Sequence, residues 1–168
     1  MIPREPLATA RLVLRPSEAA DATRALEIQS NRNVTRNLRF ASFPPDPVST
    51  ATWFASHTEE WRTGTAYRFA IIREGRMIGL TDIDGIADGT GDLGYWLEEA
   101  AWGQGYAREA TDAVLQEANT LGVKPVLAIC SPHNAPSRRL LEQAGFRFER
   151  MIVLPQQTAE TCLYELTR

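Results

Sequence analysis

A single lysine, Lys124, stands among the 18 basic residues of this 168-residue chain, and cysteine and histidine occur only twice each. Each scarcity closes a class of function. Cys130 and Cys162 lie far apart in strand-like segments, and His57 and His133 have no neighbouring Cys or His at ligand spacing, so no metal is expected. The two thiols read instead as small buried hydrophobes. No apolar run approaches the roughly 20 residues of a membrane span. The opening Met1-Ile2-Pro3-Arg4-Glu5-Pro6 has neither the positive start nor the apolar core of a secretory leader. A cytoplasmic location without a membrane partner is therefore the expectation. Positive charge is also in deficit: the formal net charge of −3 leaves no electrostatic footprint for a nucleic-acid partner. Internal repeats and low-complexity tracts are absent.

What is present fits one globular core. Apolar residues make up 43% of the chain and charged residues 23%, and 168 residues are enough for one ordinary domain and too few for two. A single domain over residues 1–168 is expected. From Arg11 to Arg15, Leu12 and Leu14 recur at the period of a strand. Ser17 is placed to cap a helix running through Leu26 and Ile28, and a second turn or helix covers Val34 to Leu38. Phe43-Pro44-Pro45-Asp46-Pro47 must be a loop, because proline removes donors and pushes the preceding residue out of the helical region. Ser49 or Thr50 then caps a helix whose apolar face is Trp53, Phe54 and Trp61.

From Tyr67 the period changes to two. Tyr67 to Arg73 and Met77 to Ile83 make a hairpin about Glu74-Gly75, and Asp88 to Asp92 reads as a loop. The next strand is Leu93 to Leu97, followed by a helix from about Gln104 to Leu121 that Gly122 ends. Val126 to Cys130 is a buried strand, Asn134 to Ala144 a helix ended by Gly145, and Phe146 to Leu154 with Cys162 to Leu166 a closing antiparallel pair. This order predicts an α+β fold with a mixed, mostly antiparallel, seven-stranded sheet flanked by helices.

The most informative stretch is Trp102-Gly103-Gln104-Gly105-Tyr106-Ala107, set between a strand and an amphipathic helix. Two glycines let the main chain approach a ligand, and the helix start beyond them offers unpaired N–H groups and the positive end of its dipole. An anion belongs there, a pyrophosphate above all. The Lys-Ser/Thr ending of a nucleoside-triphosphate loop is missing. So is the third glycine of a dinucleotide loop, whose position Arg108 occupies, together with the acidic residue expected about twenty residues on.

The loop resembles the acyl-coenzyme A loop of the GNAT superfamily of N-acetyltransferases, Gln/Arg-x-x-Gly-x-Gly/Ala. Gly105 and Ala107 match, and Trp102 stands where the family has Gln or Arg. Thr9-Ala10-Arg11-Leu12-Val13-Leu14-Arg15-Pro16 is similar to the opening strand of its RimJ/RimL-like branch, the ribosomal-protein N-acetyltransferases. Asn134-Ala135-Pro136-Ser137, Leu141-Glu142-Gln143-Ala144-Gly145-Phe146 and Gly94-Tyr95-Trp96-Leu97 resemble further motifs of the superfamily, in the family's order.

The resemblance implies a GNAT-like fold with a splayed strand pair, a bulge in the strand ending at Leu97, and acetyl-CoA as donor to an amine acceptor, either a protein N-terminus or a small molecule. Gly103, Gln104, Gly105, Tyr106 and Ala107 would hold the pyrophosphate, with Arg108 and Arg138 as possible assistants or plain helix arginines. Backbone at Trp96 and Leu97 would meet the pantetheine and the thioester carbonyl. Asn134 would bond the pantetheine arm or cap its helix, and Ser137 would lie near the sulfur as proton donor, with Tyr106 or Tyr164 as alternatives. For a general base, Glu98, Asp82 and Asp84 are candidates, the two aspartates sharing one strand face and equally suited to a cationic acceptor. Homodimerisation, frequent in the branch, stays open. So do two other readings, a non-catalytic acyl-CoA-binding sensor and a nucleotide-binding regulatory domain.

Overall fold

The computed structural model describes residues 4–167; Met1, Ile2 and Pro3, part of the opening read above for a leader, lie outside the described residues, as does Arg168. Strands β1 (Leu7–Ala8), β2 (Val13–Pro16), β3 (Tyr67–Arg73), β4 (Arg76–Ala87), β5 (Thr90–Leu97), β6 (Val126–Cys130), β7 (Arg147–Val153) and β8 (Glu160–Leu166) form one sheet in the order β1-β2-β3-β4-β5-β6-β8-β7. Every neighbouring pair is antiparallel except β5 and β6. The architecture is the expected α+β plan, with eight strands where seven were expected. The addition is β1, whose two residues are too few for a period to register.

The helices are α1 (Ala22–Gln29), α2 (Arg32–Thr35), α3 (Pro47–Thr63), α4 (Tyr106–Thr120) and α5 (Ala135–Gln143). Two expected caps are replaced. The Ser17 hydroxyl is buried and meets His57 Nδ1 at 2.9 Å, while Glu18 opens the turn before α1, its N–H donating to the Asp21 carboxylate at 3.0 Å. At α3 the cap is Asp46, not Ser49 or Thr50: its carboxylate accepts the Ser49 N–H at 2.7 Å, and Pro47 fills the first helical position, where a missing N–H costs nothing. The expected loop from Asp88 to Asp92 shrinks to a two-residue turn. Asp88 and Gly89 both take positive φ (51° and 80°), as a tight hairpin requires, so β4 and β5 run right up to it.

Period-two alternation sorts the sheet's two faces. Phe69, Ile71, Ile83, Leu93 and Leu97 pack with Ala110 and Val114 of α4, whereas Ala70 and Leu80 pack with Ala25 of α1 and Phe54 of α3. Between the faces, β5 and β6 pair only at Gly91 with Val126 and Asp92 with Leu127. Beyond that point the two parallel strands part, and Leu93 to Leu97 present their β6-facing edge to no strand. The bulge expected in this strand is absent, since β5 keeps unbroken register with β4 from Asp92 to Leu97. The splay comes from divergence of β5 from β6, and the register break in this hairpin lies at Asp84 to Ala87.

Candidate active site

At the far end of β5 the chain turns through Glu99–Ala101 and enters the glycine loop. Gly103 and Gly105 take left-handed φ values of 72° and 82°, and Gly105 is the residue that opens α4. No side chain among the described residues caps that helix, so its first N–H groups are left without a capping acceptor. A Cβ placed on Gly103 would meet nothing within 4 Å, and one on Gly105 would lie 3.3 Å from Arg11 Nη2. The flanking side chains fold backward and leave the main chain facing out: Trp102 Nε1 donates to the Leu97 carbonyl and Gln104 Nε2 to the Ala100 carbonyl, each at 3.0 Å. The residues thus fit a diphosphate, held by backbone donors and a helix dipole.

Arg11, absent from the sequence-derived site, belongs to this cradle. Its guanidinium donates to the Gln104 carbonyl at 2.9 Å and to Glu109 at 2.7 Å, and lies 4.4 Å from the centre of the Tyr106 ring, with Arg73 at 5.1 Å. Burial works to raise the Glu109 carboxyl, but hydrogen bonds from Thr9 and Arg11 hold it below its ordinary value. The ionised Glu109 thereby ties α4 to the segment before β2 and fixes Arg11 beside the helix start. Arg108 pairs instead with Asp112 at 2.7 Å on the helix surface, and Arg138 donates to the Tyr164 hydroxyl at 3.1 Å.

Inside the splay, Tyr95 of β5 and Ser137 of α5 bring their hydroxyls to 2.5 Å. Burial lifts the Tyr95 phenol to about 12, so it stays protonated at neutral pH. Cys130, at the end of β6, is buried and its thiol is pushed up to about 11 by that burial, with Cys162 directly opposite on β8. Asn134 caps α5 by accepting the Ser137 N–H at 3.2 Å. Of the residues expected at the thiol end, Ser137 and Asn134 are therefore together. Tyr106 and Tyr164 do not reach Ser137; Tyr95 does. The strand alternation of Leu93, Tyr95 and Leu97 sets this phenol on the α4 side, against the cluster that holds Ala110 and Val114. Trp96 turns to the opposite face and packs beside Leu80, and the Leu97 side chain is buried in the core.

The three candidate bases are all engaged. Glu98 receives Arg76 Nη1 at 3.0 Å on one oxygen and Arg24 on the other. Asp82 contacts Arg68, which also reaches Asp84 at 3.0 Å and Glu60 at 2.7 Å. Burial pushes the Asp82 carboxyl up against the pull of Arg68, and Asp82 itself is only 4% exposed. Among the described residues no group of three or more His, Cys, Asp or Glu side chains is placed to hold a metal ion, and no helix is long and apolar enough to cross a membrane.

The architecture recurs in solved structures. RimL, a ribosomal L7/L12 alpha-N-protein acetyltransferase in complex with coenzyme A, superposes with a TM-score of 0.86 at 17% identity over 97% of this chain and 98% of its own. Mycobacterium smegmatis RimJ, with a coenzyme A disulfide, gives 0.85 at 21% over 98% and 88%. In sequence, an uncharacterised N-acetyltransferase, p20 of Bacillus licheniformis, is 29% identical over 153 residues, spanning 88% of this chain and 85% of that protein. The acetyltransferase (GNAT) domain family matches residues 11–147. With the glycine loop, the splayed strands and the order of motifs all in place, this chain belongs to the GNAT family of acetyltransferases.

Proposed function

We propose that the chain transfers an acetyl group from acetyl-CoA to a primary amine, on a protein N-terminus or a small molecule, by direct attack in a ternary complex. The observation that carries this reading is the parting of β5 from β6, with the uncapped α4 start at one margin and the Tyr95–Ser137 hydroxyl pair inside. RimL and RimJ were captured with coenzyme A. The main chain of Gly103 to Ala107 and Arg11 would hold the diphosphate, and the unpaired edge of β5 from Leu93 to Leu97 would run beside the pantetheine.

The chemistry follows from the protonation states. The incoming nitrogen forms the new C–N bond as the C–S bond breaks, and the sulfur leaves as thiolate. A phenol held near 12 does not surrender its proton to a thiolate whose acid has a pKa of roughly 8.5. The Tyr95–Ser137 pair instead stabilises the departing sulfur by hydrogen bonding. The proton that ends on the thiol is the one shed by the amine, passed through water. Glu98, clamped by Arg24 and Arg76, is assigned to holding the turn between β5 and the glycine loop.

An acceptor screen with free-thiol detection tests the reading, using N-terminal peptides, amino acids, polyamines and aminoglycosides. Acetyl-CoA is expected to raise the thermal midpoint, NAD and ATP much less, and at least one amine to release thiol. A midpoint unmoved by millimolar acetyl-CoA would refute coenzyme binding. Binding without thiol release for any amine would favour the sensor reading.

A further inference from the structure

The charged side chains around the mouth of the splay are nearly all satisfied within the chain. Arg24 bonds Glu27 and Glu98, Arg76 bonds Glu98, Arg138 bonds Tyr164, and Glu99 accepts from Asn31 at 2.6 Å and from Asn33 at 2.9 Å. Arg39, between α2 and α3, is different. It is half-buried, makes neither an ion pair nor a side-chain hydrogen bond among the described residues, and its Nε is buried without any partner. Leaving a buried donor unpaired is costly unless something absent from the chain completes it.

Its position says what that partner meets. Burial draws the Arg39 guanidinium down from its ordinary value, and Cys130 and Cys162, the facing pair at the ends of β6 and β8, are the titratable groups near enough to bear on it. Because β6 is parallel to β5 and antiparallel to β8, these ends lie at the side where the splay opens and where the β7–β8 connection crosses. Gln157 of that connection donates to the Arg39 carbonyl at 3.3 Å, fixing the backbone that carries the guanidinium. Arg39 itself belongs to the segment joining α2 to α3. Arg39 thus lies at the end of the splay where Cys130 borders Ser137, the end at which an acceptor would meet the thioester.

We propose that Arg39 recognises a carboxylate carried by the amine acceptor, so that the enzyme selects acidic or amino-acid-like amines over neutral and polycationic ones. This rests on the reading of the splay as the acyl-transfer site. A planar guanidinium binds a carboxylate through two parallel hydrogen bonds, an arrangement that lysine does not reproduce. The carboxylate has two sources, a free amino acid or an acidic residue early in a peptide.

The test uses the full chain and thiol release from acetyl-CoA with matched acceptors: free amino acids against their α-carboxamides, and a peptide beginning Ser-Asp-Glu against one beginning Ser-Asn-Gln. Wild type is expected to prefer the carboxylate member of at least one pair by about 10- to 100-fold in kcat/KM, the scale of a charge-assisted hydrogen bond. The pair that responds identifies the source. Arg39→Gln should erase the preference by lowering only the carboxylate rates, and Arg39→Lys should restore part of it, with the acetyl-CoA-induced midpoint shift unchanged in both. Equal rates within both pairs, or equal losses on charged and neutral acceptors in Arg39→Gln, overturn the proposal. So does a protein that acetyl-CoA stabilises but that acetylates no carboxylate-bearing amine in the panel. If acetyl-CoA fails to stabilise even the wild type, it is the underlying reading that fails.

Discussion

On the face that carries α4, Gly103 to Tyr106 leave main-chain donors without a side-chain acceptor, whereas under α3 the Arg68 guanidinium is enclosed by Glu60, Asp82 and Asp84. Both regions are polar and both flank β5, but one is open and the other is closed on itself. Arg68 is 8% exposed and stacks 5.0 Å from the Trp53 ring, so its charge is consumed in holding α3 to β3 and β4. The first N–H groups of α4 have no side-chain partner of that kind among the described residues. The open donors at the α4 start suit a ligand, and the paired charges around Arg68 hold the fold. The two regions should therefore respond to substitution in opposite currencies, stability for one and binding or turnover for the other.

The largest expected effect is on the closed side. Arg68→Ala removes one cation from three carboxylates and is expected to cost about 3–5 kcal/mol of stability. The variant that remains folded should bind acetyl-CoA as the wild type does. Thermal unfolding followed by calorimetry on the folded fraction checks both halves, and a large loss of affinity with little loss of stability would invert the comparison.

Between the two regions sits the Tyr95–Ser137 pair. Tyr95→Phe is expected to lower turnover about 10- to 100-fold with little change in acetyl-CoA affinity, since the lost contact is to charge that develops only as sulfur departs. Ser137→Ala acts on the same pair. The double variant should therefore lose little more than the worse single variant. Additive losses would separate the two hydroxyls into independent roles and dissolve the pair.

The smallest effect belongs to His57, on the closed side and 2% exposed. Burial, with Arg68 and Arg4 adding and Glu60 and Asp21 opposing, pulls its imidazole from 6.5 down to about 4. The unfolded chain takes up this proton as pH falls through about 6.5, and the folded chain resists it until about 4, so stability falls with pH across that window. Between pH 7 and pH 5 the wild-type midpoint should drop by more than that of His57→Gln. Parallel pH curves would show that His57 titrates normally in the folded protein.

The same contrast explains what was legible in the sequence. The glycine loop and the Asn134-to-Ser137 motif are runs of neighbouring residues, and the strand and helix periods around them are local, so both were readable, and the structure sets them at the starts of α4 and α5. Side-chain partners separated by long stretches of chain were not. Ser17 looked like a helix cap because nothing nearby announced His57, 40 residues on. Tyr95 was passed over because its partner, Ser137, is 42 residues away, and Arg11 because Glu109 is 98 away. Glu98 looked free as a base because Arg24 and Arg76 reach it from α1 and β4. The splay itself was anticipated but its cause was not: a bulge is a local event, while the divergence of β5 from β6 depends on what packs between them.

The central claim is that the main chain at Gly105 receives the coenzyme's diphosphate. Calorimetric titration of acetyl-CoA into wild type and Gly105→Val, with thermal unfolding as the control for folding, tests it most directly. Valine there is strained at φ 82° and carries its side chain toward Arg11 Nη2, into the space a phosphate would occupy. A Kd raised by at least about tenfold, the equivalent of one lost charge-assisted contact, is the expected result for a folded variant. An unchanged Kd for Gly105→Val would place the diphosphate elsewhere and contradict the account.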